Sequence, residues 1–264
     1  MVKKNININI KKFDMKSIEP NKKLIFIGKT GSGKTITLLD YLYFNQNTFP
    51  IGTVISTNEE LNKSFRYHVP SIFIHLEYTS ELIKEILMHQ VKIKKEKNSK
   101  HLDINTNTFL VIDDCMHDAP DMEKDRSIQK IFDAGRHFDI TLLMTLQYAL
   151  GMKPRFRSNF QYVFLFKTTK IKEQKMLYEY YGGIFPSFLE FRTVFLRCTD
   201  NFGCMVIDNT SPSSEIGDQI FWYKVNIEER VNWNNFKLCN LDLWKNNEMY
   251  EKKLYDECDQ INND

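Results

Sequence analysis

The chain has 264 residues, of which 42% are apolar and 27% charged, values of an ordinary globular protein that exclude a disordered or fibrous class. Its 36 Lys and Arg against 34 Asp and Glu give a net charge of +2, so bulk electrostatics do not argue for nucleic acid and any such contact must rest on a local patch. No apolar stretch approaches the roughly 18 to 20 residues that span a bilayer, and the polar start MVKKNININIKKFD lacks the apolar centre of a secretory signal.

Residues 1–20 read as an N-terminal extension. The apolar run Leu24 to Ile27 stops at Gly28, and Ile36, Leu38, Leu39, Tyr41 and Leu42 then recur at helical spacing, which predicts strand, loop, helix. Thr53 to Ser56 and Ser71 to Ile74 predict two short strands. Leu82, Ile83, Ile86, Leu87 and Val91 predict an amphipathic helix over 79–92. Phe109 to Ile112 is wholly apolar and ends in Asp113-Asp114, as suits a strand buried on both faces of a parallel sheet. A helix over 125–135 carries Ile128, Ile131 and Phe132 on one face and stops near Gly135. Ile140 to Leu146 and Tyr162 to Phe166 predict strands, and 171–181 a helix. Met205 to Ile207 and Ile220 to Tyr223 are expected to extend the sheet at one edge, whereas 226–264 reads as a polar, partly helical, peripheral tail. Strands alternating with helices imply an α/β domain over 21–225 with a mostly parallel central sheet flanked by helices.

The five cysteines, Cys115, Cys198, Cys204, Cys239 and Cys258, lack CxxC spacing and read as buried or free thiols. The six histidines show no metal-ligand spacing. The aromatics Tyr178, Tyr180, Tyr181, Phe185, Phe188 and Phe191 read as core or subunit contact before interaction surface.

The segment Gly28, Lys29, Thr30, Gly31, Ser32, Gly33, Lys34, Thr35 fits G-x-x-x-x-G-K-[ST], in which glycines let backbone N–H groups converge on phosphate oxygens at a helix N-terminus. Lys34 would neutralise the β and γ phosphates and Thr35 would place its hydroxyl on Mg²⁺. The competing reading is a glycine-rich turn between strand and helix. Asp113 and Asp114 leave an apolar strand at the end where open α/β sheets bind ligands. There Asp113 would hold Mg²⁺ through its water shell and Asp114 would orient or polarise the attacking water. The alternative is a solvated strand end or helix cap. Gln147 ends another such strand, from which an amide could reach the γ-phosphate or the water, or could be an ordinary polar strand end. The ligands implied are ATP and Mg²⁺. A P-loop kinase would carry an Arg-rich lid, and none is evident; a GTPase would carry Asn-Lys-x-Asp, which is absent. A nucleotide-binding scaffold without turnover stays open.

The order of IFIGKTGSGKT, VISTNEELNKSFRYHVPSIFIH, FLVIDDC, IFDAGRHFDITLLMTLQY and RSNFQYVFLF over residues 24–225 resembles the FtsK–HerA superfamily of P-loop ATPases, and within it the genome-packaging ATPases of large DNA viruses, including the poxvirus type. The resemblance implies a RecA-like core, ATP hydrolysis at subunit interfaces of a homo-oligomeric ring of five or six subunits, and translocation of double-stranded DNA into a preformed capsid. It further implies capsid or portal-vertex partners and a place in the host cytoplasm, viral factory or virion. It maps the nucleotide lysine onto Lys34, the metal aspartate onto Asp113 and the sensor glutamine onto Gln147, whereas Asp114 departs from the glutamate of cellular members. Such rings use an arginine from the neighbouring subunit. The candidates are Arg157 first, then Arg136 and Arg155, against the alternative of ordinary surface arginines. For DNA the densest positive cluster is Lys92, Lys94, Lys95, Lys97 and Lys100, which would make sequence-independent phosphate contacts or would simply be a solvated helix end.

Overall fold

The computed structural model of the chain, which describes residues 10–115, 122–148 and 152–247, carries one eight-stranded sheet. In chain order the strands are β1 (Lys23–Ile27), β2 (Ile51–Ser56), β3 (Ile74–His75), β4 (Thr108–Asp113), β5 (Ile140–Leu146), β6 (Tyr162–Phe166), β7 (Cys204–Asp208) and β8 (Ile220–Tyr223), lying side by side as β3-β2-β4-β5-β1-β6-β7-β8. The first six run parallel; β7 and β8 extend the sheet at one edge, as expected, and the structure shows that they pair antiparallel.

The unbroken apolar runs follow from burial on both faces. Alternate residues of β1 and β4 enter different cores: Ile25, Ile27, Leu110 and Ile112 face one, and Leu24, Phe26, Phe109 and Val111 the other. The second core packs under helix α1 (Lys34–Phe44), through Leu38, Leu39, Tyr41 and Leu42. The first is covered by α2 (Ser80–Lys100), α3 (Arg126–Ala134), α4 (Ile171–Tyr181) and α5 (Phe188–Cys198). Tyr178, Phe185, Phe188 and Phe191 pack together there, in keeping with the core reading of that aromatic cluster.

The structure corrects four expectations. The helix predicted over 79–92 runs on to Lys100, because buried Gln90 donates to the carbonyls of Thr106 and Phe138 at 2.8 and 2.9 Å and ties its second half to the sheet. Ser71–Phe73 is a 3-10 turn after Pro70, so only Ile74–His75 pairs with β2; the turn is held by Asn247, whose side-chain oxygen accepts from Ser71 Oγ and Ile72 N. Helix α5 lies where no element was expected, although Ser187, capping the N–H of Glu190, offers the Ser-x-x-Glu signature. Finally, the segment after 226 is not peripheral up to Asn247: Phe236 and Leu238 are buried, His68 stacks on Phe236 with centroids 4.0 Å apart, and Arg230 reaches the fully buried Asp40.

Phe13, Met15 and Ile18 of the N-terminal extension are likewise buried in the second core. Cys115, Cys198, Cys204 and Cys239 are buried, while Cys258 lies outside the described residues. Among the described residues no helix is long and apolar enough to cross a membrane.

Candidate nucleotide-binding site

The central strand β1 opens into the loop Gly28–Thr35, and the loop feeds directly into α1. Gly28 is fixed by close packing: a Cβ there would lie 2.6 Å from Phe166 Cβ and 2.8 Å from Ser32 Oγ. Gly31 and Gly33 have φ of 75° and 98°, the left-handed region where side chains are strained. These three glycines shape a loop whose N–H groups, with those of the first turn of α1, have no partner within the helix. Lys34 is 8% exposed and donates to the carbonyls of Gly28 at 2.6 Å and Lys29 at 3.1 Å, which leaves its third N–H for the cavity. Burial lowers its pKa, and Asp114 and Asp113 oppose that shift. Ser32 Oγ is buried without a hydrogen-bond partner among the described residues, a cost that an acceptor such as a phosphate oxygen would relieve.

Parallel pairing of β2, β4 and β5 brings their C-terminal ends together beside this loop. Ser56 is in register with Asp113 and donates to Oδ2 at 3.2 Å, while Thr145 donates to Oδ1 at 2.8 Å. Burial raises the Asp113 pKa, the Thr145 and Ser56 hydroxyls pull it down, the Asp114 charge raises it and Lys34 lowers it. At Asp114 the chain turns left-handed, φ 57°, and its N–H donates to Thr145 Oγ1 at 3.0 Å. Thr145 therefore ties both aspartates to β5. The Asp114 carboxylate accepts from Gln147 Nε2 at 2.7 Å on each oxygen and from Asn58 Nδ2 at 3.0 Å on Oδ2.

Loop, aspartates and Thr145 enclose a cavity of about 410 Å³ that Lys34, Thr35, Asp113 and Asp114 all line. These are four of the positions that the sequence singled out. Gln147 lies behind Asp114, beside Gly28 and Lys29, so it touches the cavity through Asp114. Sequence reading missed Ser56, Asn58 and Thr145. Thr145 was findable, since it lies two residues before Gln147 on the same face of a strand; Ser56 and Asn58 come from a neighbouring strand whose register no local pattern gives.

The donor set suits a hard, oxygen-ligated cation: a hydroxyl at Thr35 and a carboxylate at Asp113, with no group of three His, Cys, Asp or Glu among the described residues that could hold a metal. Such a pair fits Mg²⁺, which keeps waters and takes its remaining ligands from phosphates.

The arginines lie elsewhere. Arg157 stacks 3.9 Å above the Tyr180 ring and donates to the Met152 carbonyl at 2.8 Å, so the first choice for action on a neighbouring subunit is engaged within its own chain. Arg155 pairs with Asp133 at 2.7 Å. Arg136 is exposed, in the turn just before β5. The five lysines sit on the last turns of α2, near the N-terminal edge of the sheet and opposite the loop. Lys94 bonds the His137 carbonyl and Asp139, and Lys97 bonds the Ile104 carbonyl, which leaves Lys92, Lys95 and Lys100 as the exposed members of the cluster.

A family model described as Poxvirus A32 protein matches residues 10–166. "Uncharacterized protein L437" of Acanthamoeba polyphaga mimivirus is 36% identical over 225 residues, covering 82% of this chain and 79% of that one. "Uncharacterized protein 088R" of Invertebrate iridescent virus 3 is 33% identical over 235 residues, covering 84% and 87%. Among solved structures, the genome packaging NTPase B204 from Sulfolobus turreted icosahedral virus 2 superposes with a TM-score of 0.56 in its AMPPCP complex, at 14% identity over 79% of this chain and all of that one. Its ATP-gammaS complex gives 0.53 at 15% identity, over 78% and 98%. At these identities what is shared is the fold.

Proposed function

The chain belongs to the poxvirus A32 protein family, and from that premise we propose that it is an ATP-hydrolysing motor that moves double-stranded viral DNA into a preformed capsid. The observation that carries the reading is the convergence of Lys34, Thr35, Asp113 and Asp114 on one cavity at the C-terminal edge of a parallel sheet. Its fold is that of the genome packaging NTPase B204, which was seen with ATP-gammaS and AMPPCP.

Each residue then has a task. The loop N–H groups and Lys34 hold the β and γ phosphates. Mg²⁺, when bound with Thr35 and Asp113, supplies charge neutralisation to the transferring phosphoryl oxygens. Ser56 and Thr145 hold the Asp113 carboxylate in one orientation. Asp114 takes the proton of the attacking water, and Asn58 and Gln147 orient it. Gln147→Ala is expected to lower kcat about 10- to 100-fold with KM nearly unchanged; a raised KM with kcat unchanged would instead mean a ground-state binding role.

In the proposed ring, of five or six copies, Arg136 is the exposed candidate that a neighbour's phosphates could meet, since Arg155, exposed as well, is paired with Asp133, and inactive Arg136→Ala subunits mixed into wild-type protein should depress activity more than in proportion. Lys92, Lys95 and Lys100 are proposed to meet the DNA backbone. Changing all three to Gln should weaken DNA binding and reduce the slope of log K against log salt by about 1 per lysine; an unchanged slope removes them from the DNA path. The site's place in a viral factory or virion, and the capsid or portal-vertex contact, belong to the same proposal.

One observation favours a second reading, a scaffold that holds ATP without turnover: both Asp114 oxygens are already occupied by amide donors. Phosphate release with and without double-stranded DNA separates the two. DNA-stimulated release supports the motor, and bound but unhydrolysed ATP supports the scaffold.

A further inference from the structure

The cavity has two chemically different ends, on opposite sides of β1. Toward β2, β4 and β5 lie Asn58, Asp113, Asp114 and Thr145; toward β7 and β8 lie Phe202, Val225 and Ile227, with Ile36 of α1 between. If the phosphates occupy the loop with the γ-phosphate against Asp114, the remainder of a nucleotide must leave the loop toward the second end. The side chains of Phe202, Val225 and Ile227 at that end are all hydrocarbon.

Phe202 is an unusual residue to find there. It is 75% exposed, and its φ of 60° follows a φ of 48° at Asn201, so two consecutive left-handed residues close the turn from Asp200 to Gly203. The Gly203 N–H donates to the Asp200 carbonyl at 2.9 Å, and Lys167 anchors Asp200 at 2.9 Å. Turns of this kind favour Asn-Gly, because a bulky side chain with positive φ is strained. A phenylalanine here gains nothing from core packing, and the strain persists in a fixed turn beside the cavity.

We propose, resting on the nucleotide reading above, that Phe202 is a stacking platform for the base of the bound nucleotide, and that the site takes nucleoside triphosphates with little discrimination between adenine and guanine. A ring face recognises any base, whereas selection between bases needs hydrogen bonds to their edges. Val225, Ile227 and Ile36 carry no side-chain donor or acceptor for that purpose.

The test uses the full chain and three probes: non-hydrolysable analogues of ATP and GTP, and inorganic tripolyphosphate. Wild-type protein should bind the two analogues within about tenfold of each other. Phe202→Ala should weaken both about 10- to 100-fold while tripolyphosphate binding stays the same, and Phe202→Trp should keep both. Phe202→Gly, which relieves the backbone, should lose analogue affinity with a Tm equal to or above wild type, an outcome that a structural role for the ring would not give. Unchanged analogue binding in Phe202→Ala, or a guanine analogue more than about tenfold weaker than the adenine one, overturns the proposal. Wild-type protein that binds neither tripolyphosphate nor analogue overturns the phosphate-loop reading itself, so the two failures are distinct.

Discussion

Lys34→Ala is expected to reduce ATP turnover about 10³-fold or more while leaving the fold intact. The ammonium is a buried cation between the loop and the two aspartates: burial lowers its pKa, and Asp114 and Asp113 oppose that shift. Removing it deletes a charge that neutralises the phosphates and leaves two carboxylates facing them with less positive charge between. The fold should tolerate the change, because the two hydrogen bonds that Lys34 gives go to the carbonyls of Gly28 and Lys29, and removing its side chain leaves space in which water can take its place. Phosphate release and thermal unfolding measured side by side check both halves. Turnover within tenfold of wild type would falsify the proposed site, and a collapsed Tm would mean that the lysine acts chiefly on the fold.

The second large effect is on stability, and it lies far along the chain from the first. Arg230→Ala should destabilise the protein by about 3 to 5 kcal/mol, because it strands a buried carboxylate. Asp40 on α1 is fully buried, and Arg230 donates to it through Nε at 2.6 Å and a terminal nitrogen at 3.2 Å, with the Tyr223 hydroxyl as its other partner. The guanidinium also lies 4.4 Å over the Phe44 ring. For a chain of this size the loss corresponds to a Tm lower by about 10 °C. Adding Asp40→Asn to that variant should restore part of the stability, since the stranded group would then be neutral. Equal Tm values for wild type and Arg230→Ala would show the pair to be weakly coupled. Arg230 follows Val225 and Ile227, two residues that line the cavity, so the same variant is expected to loosen the base end of the site as well.

Most of the site could be read from sequence because its chemistry is local. A phosphate loop needs glycines at fixed offsets, and Gly28, Gly31 and Gly33 stand there for reasons the structure makes explicit: one close approach and two positive φ angles. The apolar strands ending in Asp113-Asp114 and Gln147 were legible for a related reason, since a parallel strand covered on both faces must be hydrophobic throughout and can turn polar only where it exits. Asn58 and Ser56 were not legible, because their meaning is the register of β2 against β4. Gln90 and Asn247 were opaque in the same way: each is polar in sequence, yet each satisfies backbone groups of a distant segment.

By itself the sequence determined a phosphate-binding loop between strand and helix, an α/β sheet with added strands at one edge, and the carboxylates and amide at the strand ends, since spacing along one segment dictates each of these. Tertiary structure alone decided that residues 230–247 close over the core, that Arg157 is spent on Tyr180 whereas Arg136 is exposed, and that Phe202 meets the same cavity as Lys34. These depend on which distant segments become neighbours. Burial, charge pairing and strain are properties of the folded surroundings, and no local pattern encodes them.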